Sequence, residues 1–157
     1  MRYAQVRNQD ISNGEGFGVS LFVQGCHFHC KNCFNQETWD FNGGKPWTEK
    51  KEEKFMQLVS RPFVERVSFL GGEPLCDENM DTVLSIIQKI REKFPEKKIW
   101  VYSGHRLEEL SVHPTKKKVL ELIDVLVDGR YVDELKDFRL SFRGSSNQRV
   151  LRRGEDF

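Results

Sequence analysis

Short apolar runs and longer amphipathic stretches alternate along this chain. Val19 to Val23 is uninterrupted except at Ser20, and it predicts a buried strand over Gly18 to Gln24. Arg66 to Leu70, Lys98 to Tyr102 and Asp124 to Val127 predict three more, with Ile99-Trp100-Val101 strongly β-favouring. Between them the period changes to that of helices. Thr48 is placed to cap a helix carrying Glu49 in its first turn and Phe55, Leu58 and Val59 on one face, until Pro62 breaks it. Asp77 is placed to cap a second, with Glu78 and Asp81 near its positive end and Met80, Val83, Leu84, Ile87, Ile90 and Phe94 as its apolar stripe; Pro95 ends it. Two short helical pieces, Leu107 to Leu110 and Lys116 to Ile123, follow on either side of Pro114. Tyr3 to Val6 predicts a short edge strand, and Arg139 to Phe157 is a polar segment with arginines at 139, 143, 149, 152 and 153. Strands alternating with helices predict parallel βα units in a single domain over residues 1–157.

The first strand runs directly into Gln24-Gly25-Cys26-His27-Phe28-His29-Cys30-Lys31-Asn32-Cys33-Phe34-Asn35. Cys26, Cys30 and Cys33 are spaced Cys-x3-Cys-x2-Cys. Thiolates this close repel one another unless a cation sits between them, so a shared metal centre is expected. A structural zinc site closes its shell with four ligands, and here His27 or His29 is available as a fourth. An electron-transfer Fe–S cluster usually takes four cysteines. A cubane held by three keeps one iron open for a ligand, much as a catalytic zinc keeps one position.

Composition narrows the class. The chain has 157 residues, with Lys+Arg 25 against Asp+Glu 24 and a formal net charge of +1. That balance argues against a general nucleic-acid or membrane-surface role. No apolar run approaches the roughly 20 residues of a membrane span, and Met1 to Gln5 lacks the apolar core of a signal peptide. Three of the four cysteines are clustered rather than spread as a disulfide framework, so a reducing cytoplasm is the expected compartment. Cys76, the fourth, lies near the Gly71 turn; it reads as a small buried hydrophobe, as a free cysteine commonly is.

Every unusual motif follows a predicted strand: Cys26 to Cys33 the first, Gly71-Gly72-Glu73-Pro74 the second, Ser103-Gly104 the third and Asp128-Gly129 the fourth. Ligands of parallel α/β folds bind at the carboxyl ends of strands, so the four predict one site. Gly71 and Gly72 are expected to let a ligand approach the backbone and to leave carbonyls for a ligand ammonium.

The cysteine spacing together with Gly71-Gly72-Glu73-Pro74 resembles the radical S-adenosylmethionine (SAM) superfamily. The resemblance narrows to the activating proteins of anaerobic ribonucleoside-triphosphate reductase through Thr38-Trp39, Phe94-Pro95-Glu96, Val127-Asp128-Gly129 and Arg143-Gly144-Ser145-Ser146-Asn147-Gln148-Arg149, and it covers nearly the whole chain. It implies an incomplete (βα) barrel, a parallel sheet with outer helices, open on one side to suit a protein substrate. It implies a [4Fe–4S] cluster on Cys26, Cys30 and Cys33, with SAM held by Asn32, Cys33, Phe34, Gly71, Gly72, Glu73, Ser103, Gly104 and Asp128. Where many superfamily members carry an aromatic before the third cysteine, Asn32 stands, and Phe34 follows it. The implied reaction is reductive cleavage of SAM to methionine and a 5′-deoxyadenosyl radical, which makes a glycyl radical on the reductase large subunit. An external one-electron donor, such as a flavodoxin-like protein, is implied as a second partner. Arg143, Ser145, Asn147, Gln148 and Arg149 are expected at the docking surface, since the wider superfamily lacks this stretch. Three other readings stay open: another glycyl-radical activase, a carbocyclising enzyme of deazapurine synthesis, or a zinc-bearing RNA-interaction module.

Overall fold

A computed structural model describes all 157 residues. In chain order its elements are β1 (Arg2–Asp10), β2 (Gly18–Val23), β3 (Lys45–Pro46), α1 (Glu49–Val59), β4 (Arg66–Gly71), α2 (Asp77–Lys93), β5 (Lys98–Ser103), α3 (Leu107–Val112), α4 (Lys117–Leu120), β6 (Val125–Asp128) and β7 (Arg149–Arg152). The strands form one sheet in the order β3-β1-β2-β4-β5-β6-β7. The four strands expected from the apolar runs are its parallel centre, β2-β4-β5-β6. No helix is long and apolar enough to cross a membrane.

The edges differ from expectation. The sheet is mixed rather than parallel, because β1 and β7 run antiparallel to β2 and β6. β1 extends to Asp10, well past Val6, and its hidden length carries the polar Arg7, Asn8 and Gln9 on a largely exposed strand. β7 lies inside the polar C-terminal segment, where Val150 and Leu151 are too short an apolar run to announce a strand between arginines. Thr48 caps α1 by accepting the Lys51 amide at 3.1 Å. Cys76, not Asp77, holds the N-cap position of α2; Asp77 is its first residue and pairs with Lys116 at 3.3 Å. α4 is shorter than the segment from Lys116 to Ile123.

The two faces of the sheet are covered differently. Val19, Leu21, Val23, Val67, Phe69, Ile99, Val101 and Leu126 point to one face, where Phe55, Val59, Val83, Ile87, Ile90 and Val119 from the helices bury them. The alternate residues line the other face. At the bottom lie Ser20, Arg66 and Ser68; in the middle Trp100 and Val125 pack with Phe142; above them are Phe22, Leu70 and Tyr102. All helices lie on the first face's side of the core, so the second face is closed only by the chain's loops.

Arg66 is fully buried on that second face, 56 residues from the carboxylate that answers it. Its guanidinium donates to the carbonyls of Asp10, Asn13 and Glu15 and to the Ser68 hydroxyl, and lies 3.9 Å from the Asp10 carboxylate. Burial alone would raise the Asp10 pKa; hydrogen bonds from Ser20, Asn13 and Ser12 outweigh it and hold the carboxyl at about 2, against an ordinary 3.8. A depressed folded pKa contributes stability that is complete above the unfolded value and lost as pH falls through the folded one, here between about pH 4 and 2, and is worth about 2 kcal/mol. Urea unfolding followed at stepped pH should therefore show an acid limb in this window that Asp10→Asn flattens. Parallel pH profiles for the two proteins would remove this carboxylate from the account.

Candidate functional site

The site begins where β2 meets β4. The Gly72 amide donates to the Val23 carbonyl at 3.0 Å and the Glu73 amide to the Gly25 carbonyl at 2.8 Å. The Gly25 and Cys26 amides in turn donate to the carbonyls of Thr38 and Trp39 at 2.6 and 3.2 Å. A Cβ at Gly72 would collide with the Gly25 carbonyl, and one at Gly71, whose φ is +110°, would lie 2.7 Å from the Val23 carbonyl oxygen. The glycines thus serve backbone-on-backbone contact within the chain, a reason the ligand-approach reading did not include. The Gly72 carbonyl accepts no hydrogen bond from the protein, whereas that of Gly71 accepts from Asn35 Nδ2 at 3.5 Å.

Beyond Gly25 the loop coils tightly, with His29 and Asn32 at φ 49° and 57°, a left-handed conformation uncommon for non-glycine residues. All three thiols line one cavity with the Gly71-Gly72-Glu73 turn. Burial pushes the Cys26 and Cys30 thiols up, and the neighbouring Cys33 adds to the rise at Cys30. Backbone amides of Phe28 and His29 offset the rise at Cys26, and that of Tyr131 does so at Cys30; the Asn35 amide donates to Cys33 Sγ at 3.4 Å. Three crowded thiols with amides aimed at sulfur suit an iron–sulfur cluster, whose potential such bonds tune. His27 is engaged with Glu78 at 2.6 Å and packs on Phe41, while His29 stacks on Trp39 at 4.5 Å with planes 5° apart. No three His, Cys, Asp or Glu side chains converge as the ligands of a single ion would. A cubane asks for a different arrangement, with each thiolate on its own iron. Cys76 is buried outside the cavity wall, its thiol pushed up to about 12 by burial.

The cavity, ≈ 450 Å³, opens over the C-terminal ends of the parallel strands and is of a size that takes a small molecule. Of the residues singled out from the sequence, Cys26, Cys30, Cys33, Phe34, Gly71, Gly72, Glu73, Ser103, Gly104, Arg143 and Gln148 line it. Asn32, Asp128, Ser145, Asn147 and Arg149 do not. Asn32 turns away to Asp133 at 2.9 Å. Glu73 is buried, and its carboxylate accepts from the Gly104 and Leu75 amides at 2.7 and 2.9 Å and from the Ser103 hydroxyl at 2.9 Å. Burial raises its pKa, and these donors work against the rise. Oε1 has only the one partner, which leaves room for a ligand donor.

The C-terminal stretch turns inward. Ser145 Oγ accepts the Val132 amide at 3.2 Å, Asn147 Nδ2 donates to the Arg130 carbonyl at 2.8 Å, and Gln148 Nε2 donates to the Gly129 carbonyl at 3.0 Å. Arg149 forks onto buried Asp128 at 3.0 and 2.5 Å and reaches Glu108 at 2.9 Å. Asp128 also accepts the Leu107 amide at 2.8 Å, so its basic partner is this arginine.

Sequence reasoning missed several wall residues. Arg130 lies directly after the Asp128-Gly129 strand end, with its guanidinium 4.3 Å over the Phe28 ring, and Tyr131 packs against Phe34. Tyr102 shares the inner-face alternation with Trp100 on β5, a signal available in the sequence once that strand's inner face is assigned. Phe142 sits at φ 62° against Trp100.

Residues 12–151 match the family described as a 4Fe-4S single cluster domain. The chain is similar to proteins named anaerobic ribonucleoside-triphosphate reductase-activating protein. It is 43% identical to that of Salmonella typhi and 41% to that of Escherichia coli K12, in each case over 96% of this chain and 97% of the relative. It is 31% identical to that of Enterobacteria phage T4, over 96% and 93%.

Two expectations follow from this geometry. Gly72→Ala should destabilise by about 1–3 kcal/mol through forced overpacking and should lower the iron loaded per chain in step, because the displaced partner is the root of the cysteine loop. Thermal melts paired with iron assay measure both; a loss of neither would detach the turn from the loop. Arg149→Met should cost about 2 kcal/mol by leaving Asp128 buried and unpaired, a figure reduced for the partial exposure of Arg149, while Glu108→Gln should leave the melting temperature near wild type. Equal melts for both variants would assign Asp128 another counter-charge.

Proposed function

The chain belongs to the family of anaerobic ribonucleoside-triphosphate reductase-activating proteins, and from that premise we propose that it installs a glycyl radical on the reductase large subunit as a radical SAM enzyme. The observation that carries this reading is that Cys26, Cys30, Cys33 and the Gly71-Gly72-Glu73 turn line one cavity at the strand ends. The mixed sheet with helices on one face serves as the incomplete (βα) barrel of that superfamily, its cavity facing inward.

A [4Fe–4S] cluster bound there would supply one-electron reduction of SAM to methionine and a 5′-deoxyadenosyl radical, the electron coming from an external donor such as a flavodoxin-like protein, and the hydrogen atom removed would be that of a glycine Cα of the reductase. Cys26, Cys30 and Cys33 would hold the cluster. The Gly72 carbonyl and Glu73 Oε1 would accept from the SAM ammonium, both being acceptors with capacity unused by the protein. Glu73 also holds Ser103 and Gly104 in place. Phe34, packed on Tyr131, supplies an apolar wall for the adenine, and the backbone from Asn32 to Phe34 supplies its polar contacts. Asp128, paired with Arg149, acts by positioning the start of α3 and the start of β7. The walls keep water from a reactive species.

Anaerobically reconstituted protein should hold about four irons per chain and, with SAM, reductant and the reductase large subunit, should give a glycyl-radical doublet by electron paramagnetic resonance. Cys26→Ala, Cys30→Ala or Cys33→Ala should abolish it. Cys76→Ala should keep the iron, with a stability loss of about 1 kcal/mol. SAM cleavage with no radical on the reductase would favour another radical SAM chemistry; full activity in any of the three loop variants would sink the cluster assignment.

A further inference from the structure

The cavity holds two polar groups that the reading above does not use. Tyr102 Oη and Arg143 Nε are both buried and have no hydrogen-bond partner, and they are the side-chain atoms of the whole chain in that condition. Leaving a buried donor unmade costs about 1–3 kcal/mol, so two on one cavity wall point to a ligand that satisfies them.

Their placement is built. Tyr102 stands on β5 in register with Val127 of β6 and packs on the Trp100, Val125 and Val127 cluster. Phe142 reaches the same cluster and contacts the Trp100 ring at 5.2 Å. Its left-handed backbone, φ 62°, turns the chain there, and Arg143 follows inside the cavity. The neighbouring ionic pair offers Tyr102 nothing, because the Arg66 guanidinium and Asp10 carboxylate are already satisfied by Asn13, Ser20 and Ser68. Burial pushes the phenol above its ordinary value, so it remains an O–H.

We propose that Tyr102 and Arg143 are recognition residues that donate hydrogen bonds to backbone carbonyl oxygens of the partner's glycine-bearing segment, an inference that rests on the glycyl-radical reading. A glycine has no side chain, so a site that must hold one can grip only the flanking backbone. The ammonium-binding side of the cavity presents acceptors, at Gly72 and Glu73, whereas this wall presents donors. The partner segment is favoured over a small molecule by the loop that carries Arg143. Phe138 on that loop is 85% exposed, while Leu140, Phe142 and Arg143 line the cavity, so the loop offers apolar contact from solvent to the buried donors. The oxygen acceptor has one other source, the SAM carboxylate, and the test separates them.

Tyr102→Phe removes only the hydroxyl, and Arg143→Met removes the donor while keeping the stem. Each variant, loaded with iron anaerobically, is compared with wild type in SAM binding by equilibrium dialysis and in the dependence of glycyl-radical formation on reductase concentration. The expected result is unchanged iron and SAM affinity, with KM for the reductase raised roughly fivefold to tenfold per lost hydrogen bond. Wild-type KM in Tyr102→Phe would overturn the proposal, even if Arg143→Met failed to fold. A tenfold loss of SAM affinity in step with activation would also overturn it, by assigning the donors to the SAM carboxylate. If wild type itself forms no radical on the reductase, the underlying functional reading fails instead, and the two failures are thereby distinct.

Discussion

The structure hangs on a clasp of main chain between the ends of β2 and β4. Val23 and Gly25 accept from Gly72 and Glu73, Gly25 donates to Thr38, and no side chain fits between the two backbones. This contact sets where Cys26 leaves the sheet and therefore where the other two cysteines can lie. It uses amides that would otherwise be orphaned at strand ends, so the geometry is enforced by hydrogen-bond satisfaction as well as by shape. The Asn79 side chain adds a second tie, donating to the carbonyls of Gln24 and Glu73 at 3.1 Å each.

From this clasp, polar side chains pass the alignment across the strand ends. Glu73 at the end of β4 reaches Ser103 and Gly104 at the end of β5. Asp128 at the end of β6 accepts the first amide of α3, which follows β5, and is held by Arg149 of β7. Gln148 and Asn147 then fix the loop that begins at Gly129. Glu73 and Asp128 are buried carboxylates with donors matched to them, whereas Gln148 is half-buried and Asn147 exposed. Removing a partner of either carboxylate leaves an unpaired polar group close to the cavity, so the cost falls on both stability and site geometry.

Local pattern carried the centre of this fold and failed at its edges. The buried runs of β2, β4, β5 and β6 were legible because strands covered on both faces are continuously apolar. β1 and β7 were not, since an edge strand exposes one side and takes polar residues there. The cysteines and the glycine turn were legible as chemistry, but the glycines' packing on Val23 and Gly25 was not, because it joins residues far apart in sequence. Arg66 and Asp10 show the same limit: each looks like a surface residue on its own, and only the pairing over 56 positions makes them interior. The tail motif was legible as distinctive; its inward hydrogen bonds required the fold.

The cavity itself follows from an imbalance in coverage. A parallel sheet ordinarily buries both faces under helices. Here α1 to α4 cover one face, and the other must be closed by loops and by its own side chains. The lower part is filled by the Arg66 network, which is rigid because every donor is matched, and the middle by Trp100 with Phe142. At the upper end the strand ends carry glycine, serine and the cysteine loop, and the larger side chains there, Phe22, Leu70 and Tyr102 among them, line a cavity instead of filling it. The filled lower half holds the inner residues in register, and the open upper half is where the thiols, the unused acceptors at Gly72 and Glu73 and the unmatched donors of Tyr102 and Arg143 meet. Binding chemistry sits where this sheet lacks its second layer.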